Sequence, residues 1–252
     1  MPRPRHPAAA RAGRIRPGRP HGRGPGRRMR RLRGGRRAGW DSDMGDERAR
    51  GRSGKGPEGR AASTCLVTGA SGYIGGRLVP ELLDAGHRVR CLVRTPSKLR
   101  DHPWADRVEI VRGDVTDAGS VARAMAGADV AYYLVHALGT GGDFERTDRA
   151  AARVFGEQAR RAGVRRLVYL GGLTPAGVPE SRLSPHLRSR TEVGRILLDS
   201  GVPTAVLRAA VIIGSGSASF EMLRYLTERL PVMVTPRWVS TRIQPIAVRD
   251  VL

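Results

Sequence analysis

Along residues 63–252, short apolar runs alternate with longer amphipathic stretches. The runs CLV (65–67), RVRCLV (88–93), VEIVRG (108–113), DVAYYLV (129–135), RRLVYLG (165–171) and TAVLRAAVI (204–212) predict strands. A strand covered on both faces reads as a near-continuous apolar segment rather than a strict alternation. Between the runs, apolar residues recur at helical spacing, predicting helices from Arg77 to Gly86, over 118–126, about 143–162, from Ser184-Pro185 to Gly201, and over about 218–230. Asp117 and Ser184 stand as N-caps, Pro185 occupies a first turn and Gly163 ends a helix. A last extended stretch, TRIQPIAV, precedes Asp250, which is expected to cap a further helix. Strands alternating with helices pair in parallel through right-handed crossovers, so the expected fold class is α/β: a doubly wound parallel sheet with helices on both faces. Ligands of such sheets bind beyond the carboxyl ends of the strands, which gathers the loops after 67, 93, 113, 135, 171 and 212 around one crevice.

Charge divides the chain. The 252 residues carry a net +22, enough length for one large α/β domain. Residues 1–60 hold 19 Lys and Arg against 5 acidic residues, and the remaining 192 hold 26 against 18. The expected division is a disordered Arg/Gly/Pro-rich tail over 1–62 and a domain over 63–252 that ends before the fold is complete. Segments such as GRGPGRRMRRLRGGRR (22–37) offer no core to bury. A nucleic-acid arm would neutralise phosphates but usually interleaves stacking aromatics, and Trp40 is the tail's only aromatic residue. A transit peptide would be amphipathic and Ser-rich. The favoured reading is coding sequence upstream of the true start, with Met44 as candidate initiator. No apolar run reaches the ~20 residues of a membrane span, since Arg208 interrupts the longest; a soluble, cytoplasmic protein is expected. Cys65 and Cys91 fall in predicted buried strands as small hydrophobes, and the six histidines show no metal-ligand spacing, so no metal is expected.

The chemistry concentrates in LVTGASGYIGG (66–76). Gly69, Gly72 and Gly75 follow a strand and open a helix, with Ser71, Tyr73 and Ile74 between them. Glycine permits the sharp turn, lets backbone approach a pyrophosphate and lets the helix pack on the strand. The helix N-terminus then offers N–H groups and partial positive charge to an anion. At the end of the second strand, an NAD-selective site needs a carboxylate for the ribose 2′-OH. Arg94 stands there, with Lys98 nearby. A cation suits a 2′-phosphate, which favours NADP(H) and leaves NAD(H) as the alternative.

TGASGYIG (68–75), GDVTD (113–117), YYLVHAL (132–138) and IQPIAVRDV (243–251) together resemble the short-chain dehydrogenase/reductase superfamily, in its extended or atypical branches. The resemblance covers 63–252 and implies a Rossmann fold. It further implies that Asp114 and Val115 meet the adenine, and that Leu134, Val135 and His136 line the cofactor beside ribose and nicotinamide. Active members carry a Ser at the end of the fifth strand and a Tyr and Lys four apart on the next helix. Here the strand ends Leu170-Gly171-Gly172, and His186 and Arg190 hold the Tyr and Lys spacing. Residues four apart share a helix face. One reading makes His186 the proton donor, with Arg190 on the ribose hydroxyls; the other makes the two a surface pair on a non-catalytic dinucleotide-binding regulatory or assembly module. Nucleic-acid binding by the folded domain is not expected. The loop 209–220 supplies Ser215, Ser217 and Ser219 as polar contacts. Phe220, Met222, Leu223, Leu226 and the segment 231–234 are read first as core packing; as a pocket wall they would imply an apolar substrate.

Overall fold

Strand β1 (Thr64–Thr68) is buried at every position, and the sheet grows outward from it on both sides. The computed structural model describes residues 62–136, 144–229 and 244–252. The tail expectation, the Gly-rich loop 139–142, the segment 231–234 and the first residues of the last extended stretch lie outside the described residues. β1 pairs in parallel with β2 (Arg88–Val93) on one side and β4 (Val130–Tyr133) on the other. β3 (Glu109–Arg112) extends the first side, and β5 (Arg166–Gly172) and β6 (Thr204–Ala209) extend the second. The order β3-β2-β1-β4-β5-β6 is the doubly wound parallel sheet expected from the alternation.

Period-two strand geometry splits the core into two layers. Cys65 and Val67 face the layer of helix α1 (Gly75–Asp84), with Leu78, Val79 and Leu82. Leu66 faces the opposite layer, built by α2 (Ala118–Met125), α3 (Phe144–Arg161) and α4 (Pro185–Leu198) around Phe155, Met125 and Leu197. Burial raises the Cys65 thiol to about 11, with Asp129 adding to the effect, and the Cys91 thiol to about 12, so both stay protonated at neutral pH. Asp117 caps α2 through the amides of Gly119 and Ser120, and Ser184 caps α4 through Leu187.

Pro80 lies inside α1, where its missing N–H would otherwise serve the Gly76 carbonyl. The indole of Trp104, buried in the β2–β3 connection, donates to that carbonyl instead at 3.1 Å. The first turns of α1 are thereby anchored from the side, directly after the glycine-rich turn.

Three expectations are corrected. The run 204–212 is not one strand: β5 has no residue to pair beyond Gly172, opposite Ala209, and the chain leaves the sheet at Ala210. Residues Val211–Ile213 form β7, which pairs in parallel with β8 (Pro245–Ala247). Asp250 does not cap a helix, because the short helix α6 (Val248–Val251) starts directly after Ala247 and takes Asp250 into its interior. Helix α5 (Ala218–Arg229) follows β7. Met222, expected in the core, is 63% exposed on α5.

Candidate functional site

The three glycines of the turn after β1 meet three different constraints. Gly69 has φ +75°, and a Cβ there would stand 2.8 Å from the Leu134 carbonyl oxygen and 3.2 Å from Val135 Cγ1. The turn is therefore pressed against the end of β4. A Cβ at Gly75 would penetrate the Gly69 carbonyl, so only glycine lets α1 start this close to β1. Gly72 has only the Gly69 carbonyl near, at 3.2 Å, and is exposed together with Ser71. The middle glycine thus presents bare backbone to the crevice.

At the start of α1 the Gly76 amide donates to the Gly72 carbonyl (2.9 Å) and the Arg77 amide to the Ile74 carbonyl (3.1 Å), and among the described residues no side chain caps the amides before them. Ile74 makes no side-chain cap, and the first turn holds no acidic residue. An uncapped helix start carrying unpaired N–H groups suits a phosphate. Tyr73 and Ile74, half-buried, complete the turn.

Thr68 was not singled out from the sequence, yet it fixes the far wall of the turn. Its buried hydroxyl donates to the Tyr132 carbonyl (3.0 Å) and accepts from the Leu134 amide (3.2 Å). That pair of bonds sets Leu134, Val135 and His136 beside Gly69. A β-branched hydroxyl residue as the last residue of a buried strand was the available signal.

After β2, where the sequence places the ribose 2′ position, Arg94 and Lys98 are exposed, and Arg94 has no hydrogen bond or ion pair among the described residues. Asp114 organises the loop after β3, accepting from the amide (2.9 Å) and hydroxyl (2.8 Å) of Thr116 on one oxygen. Val115 packs against the core below.

At the other end, the ring of His186 in the first turn of α4 meets that of His136 after β4 edge to face, with centroids 5.5 Å apart. Arg190 lies one turn on and donates to the Leu170 carbonyl at 2.6 Å. The register of α4 is held from beneath: Ser189 donates to Asp148 of α3 in a buried bond of 2.9 Å, and the Tyr169 hydroxyl donates to the Arg190 carbonyl at 3.0 Å. A Cβ at Gly172 would stand 2.7 Å from Leu187 Cδ1, so Leu187 occupies the space a strand-end side chain would need.

His136 titrates below an ordinary histidine. Partial desolvation is the largest cause, followed by the charges of Arg190 and His186, while Asp148 pulls the other way. The folded state therefore binds this proton less readily than the unfolded chain, and stability falls as pH drops through the ordinary histidine range. A His136→Gln protein is expected to lose that part of the acid sensitivity, read as a flatter profile of melting temperature between about pH 7 and pH 5.

The profile of the NAD(P)H-binding family matches residues 69–213, which run from the first glycine of the turn to the end of β7. The chain belongs to the NAD(P)H-binding family. Its cofactor is a nicotinamide dinucleotide. The family member is 33% identical over 190 residues to a 3 beta-hydroxysteroid dehydrogenase/Delta 5-->4-isomerase of Mycobacterium tuberculosis, a match covering 65% of this chain and 50% of that one. A ceramide reductase of Caulobacter vibrioides is 32% identical over 200 residues, covering 75% and 59%. The chain spans about half the length of the first of these relatives. Among solved structures, the enzyme WbmH of Bordetella bronchiseptica in complex with NAD+ superposes with a TM-score of 0.60 at 19% identity, covering 76% of this chain and 70% of that one, and shares the fold. Among the described residues of the NAD(P)H-binding protein, no three His, Cys, Asp or Glu side chains cluster as a metal site, and no helix is long and apolar enough to cross a membrane.

Proposed function

We propose that the protein is an NADP(H)-dependent oxidoreductase of an atypical kind, reducing a carbonyl on an apolar substrate. The observation that carries this reading is the convergence of His186, from α4, on His136, at the carboxyl end of β4. Two imidazoles brought together beside the segment expected to line the nicotinamide supply a group able to donate a proton at neutral pH. When bound, the nicotinamide supplies a hydride to the carbonyl carbon. His186 gives its proton to the carbonyl oxygen, and the product is an alcohol. His136 flanks the His186 ring, and Arg190 fixes the α4 turn to the strand end. The turn at 69–75 binds the pyrophosphate through backbone N–H groups.

The apolar substrate is supported by Phe220 and Leu226, half-buried on α5, by exposed Met222, and by the names of the steroid and ceramide relatives. The NADP(H) preference is supported by Arg94, exposed at the end of β2 and unpaired among the described residues. Arg94→Ala is expected to weaken NADPH binding about tenfold, the size of one charge-assisted hydrogen bond, with NADH binding unchanged. Equal losses for the two cofactors would deny Arg94 that role. A cytoplasmic site of action belongs to this reading, in keeping with two buried free thiols, and cell fractionation checks it.

One observation favours the second reading, a non-catalytic dinucleotide-binding module. The Arg190 guanidinium is tied to the Leu170 carbonyl, and Leu187 fills the space over Gly172. The deciding experiment incubates the protein with NADPH and a panel of apolar ketones and aldehydes and follows cofactor absorbance. NADPH consumption with formation of the matching alcohol is expected. Tight NADPH binding with no consumption across the panel favours the module.

A further inference from the structure

A side-chain bridge joins the glycine-rich turn to the loop after β7, and the assignments above leave it without a role. Arg77 donates from Nη1 to the Tyr73 carbonyl (3.2 Å) and from Nη2 to the Ser215 carbonyl (2.8 Å). Its guanidinium lies 3.9 Å from the centre of the Tyr73 ring. The Tyr73 hydroxyl donates to the same Ser215 carbonyl at 3.3 Å. Residues 142 and 138 positions apart in the chain thus converge on one oxygen.

Glycine makes the space for this contact. A Cβ at Gly214 would stand 2.5 Å from the Tyr73 hydroxyl. Gly216, at φ +78°, would place one 3.4 Å from Arg77 Nη2. The loop at 214–217 is also braced from its far side. The Ser217 amide donates to the Gly214 carbonyl (3.2 Å), and the Gly216 amide donates to Glu221 Oε1 (3.1 Å). That amide and then Arg224 hold the Glu221 carboxyl below the usual carboxylate range. The loop meets Tyr73 as a preformed unit, so little ordering entropy is lost when the bridge closes.

The charge on Arg77 is uncompensated among the described residues. Its partners are two carbonyls and an aromatic face, and among the described residues no carboxylate pairs with it. It sits in the first turn of α1, where the helix also gathers partial positive charge. A bridge made of neutral acceptors at the positive end of a helix is favoured when an anion arrives beside it.

We propose that Arg77 and Tyr73 form a latch that holds the β7–α5 loop against the glycine-rich turn and makes this loop the strap retaining the dinucleotide pyrophosphate. The proposal rests on the reading of residues 69–75 as the pyrophosphate site. Arg77 is a positioning residue: it acts through the loop. The Tyr73 backbone belongs to the turn, and its side chain to the latch. A latch of this kind sets the rate of release more than the rate of capture.

The test uses the full 252-residue chain, loaded with NADPH and chased with excess NADP+, following nicotinamide fluorescence. Arg77→Ala is expected to speed dissociation about tenfold, as the loss of a charge-assisted bond would, with association changed less than about twofold. Arg77→Lys should behave like Arg77→Ala, because an ammonium cannot hold two carbonyls and stack at once. Gly214→Ala should reproduce the effect with every charge kept, and Tyr73→Phe, the mildest change, should give a rise of a few fold. Melting temperatures without cofactor check that each variant folds. Wild-type dissociation rates in Arg77→Lys and Tyr73→Phe would overturn the latch and leave Arg77 a simple charge. If the unmodified chain binds no NADPH, the site reading falls and the latch with it. If binding is lost in Gly75→Ala while the latch variants keep the parental rate, the latch alone falls.

Discussion

Gly75→Ala weakens dinucleotide binding by roughly a hundredfold or more and lowers the melting temperature by roughly 10 °C. The Cβ it adds would lie inside the Gly69 carbonyl and within 2.9 Å of Ala70 Cα. Both neighbours are backbone, so no side chain can rotate away. Overpacking of this kind costs about 3 kcal/mol, and about 2–4 °C per kcal/mol follows for a domain of this size. The larger loss is functional. Relief comes by moving the α1 start off β1 or by opening the Gly69 turn, which is itself pressed on Leu134 and Val135. Either movement misdirects the N–H groups of residues 73–75, and binding that depends on several converging donors falls by roughly a hundredfold or more. NADPH titration and thermal melting of the variant check both parts. Unchanged NADPH affinity in a folded Gly75→Ala protein would remove the turn from the binding site.

The second large effect is expected at His186. His186→Gln lowers turnover of an accepted carbonyl substrate by about a hundredfold, the lower end of what a positioned general acid contributes. Glutamine keeps a hydrogen-bond donor in place but has no proton to give near neutral pH. His186 is exposed in the first turn of α4, where Ser184 and Pro185 set the helix start without it. Surface substitutions of this kind move stability by less than about 0.5 kcal/mol, so the loss should appear in kcat with NADPH binding and melting temperature intact. A full rate in His186→Gln would return His186 and Arg190 to a surface role. His136 offers a comparison: partial burial and the charges of Arg190 and His186 lower its pKa, so it holds a proton less readily than an ordinary histidine.

The centre of the sheet was legible because β1 is buried at every position and β2 at most of them, while the edge strands β3 and β6 are largely exposed. β2 begins and ends at the predicted residues, and β5 differs by one residue at each end, since continuous apolar runs leave little choice of boundary. The caps at Asp117 and Ser184 were legible for a local reason, a short hydroxyl or carboxylate residue before a helical pattern. What escaped was set by distant partners. The end of β6 at Ala209 depends on where β5 stops, and the departure of β7 to join β8 depends on residues more than thirty positions away. Within the site, the three glycines were readable from spacing. The Thr68 bridge between β1 and β4, the Trp104 bond to Gly76 and the Arg77 bridge to Ser215 each join segments whose meeting only the fold creates. Apolar character also misled at Met222, because helical spacing reports a face but not what lies opposite it.

The most direct measurement is a titration of the 252-residue chain with NADPH and, in parallel, NADH, following nicotinamide fluorescence and the rise in melting temperature. Saturable NADPH binding in the micromolar range, with a melting shift that grows with ligand concentration as linkage requires, and weaker binding of NADH, is the expected result. No saturable signal with either dinucleotide, from a chain shown to be folded, would contradict the dinucleotide site at the turn after β1.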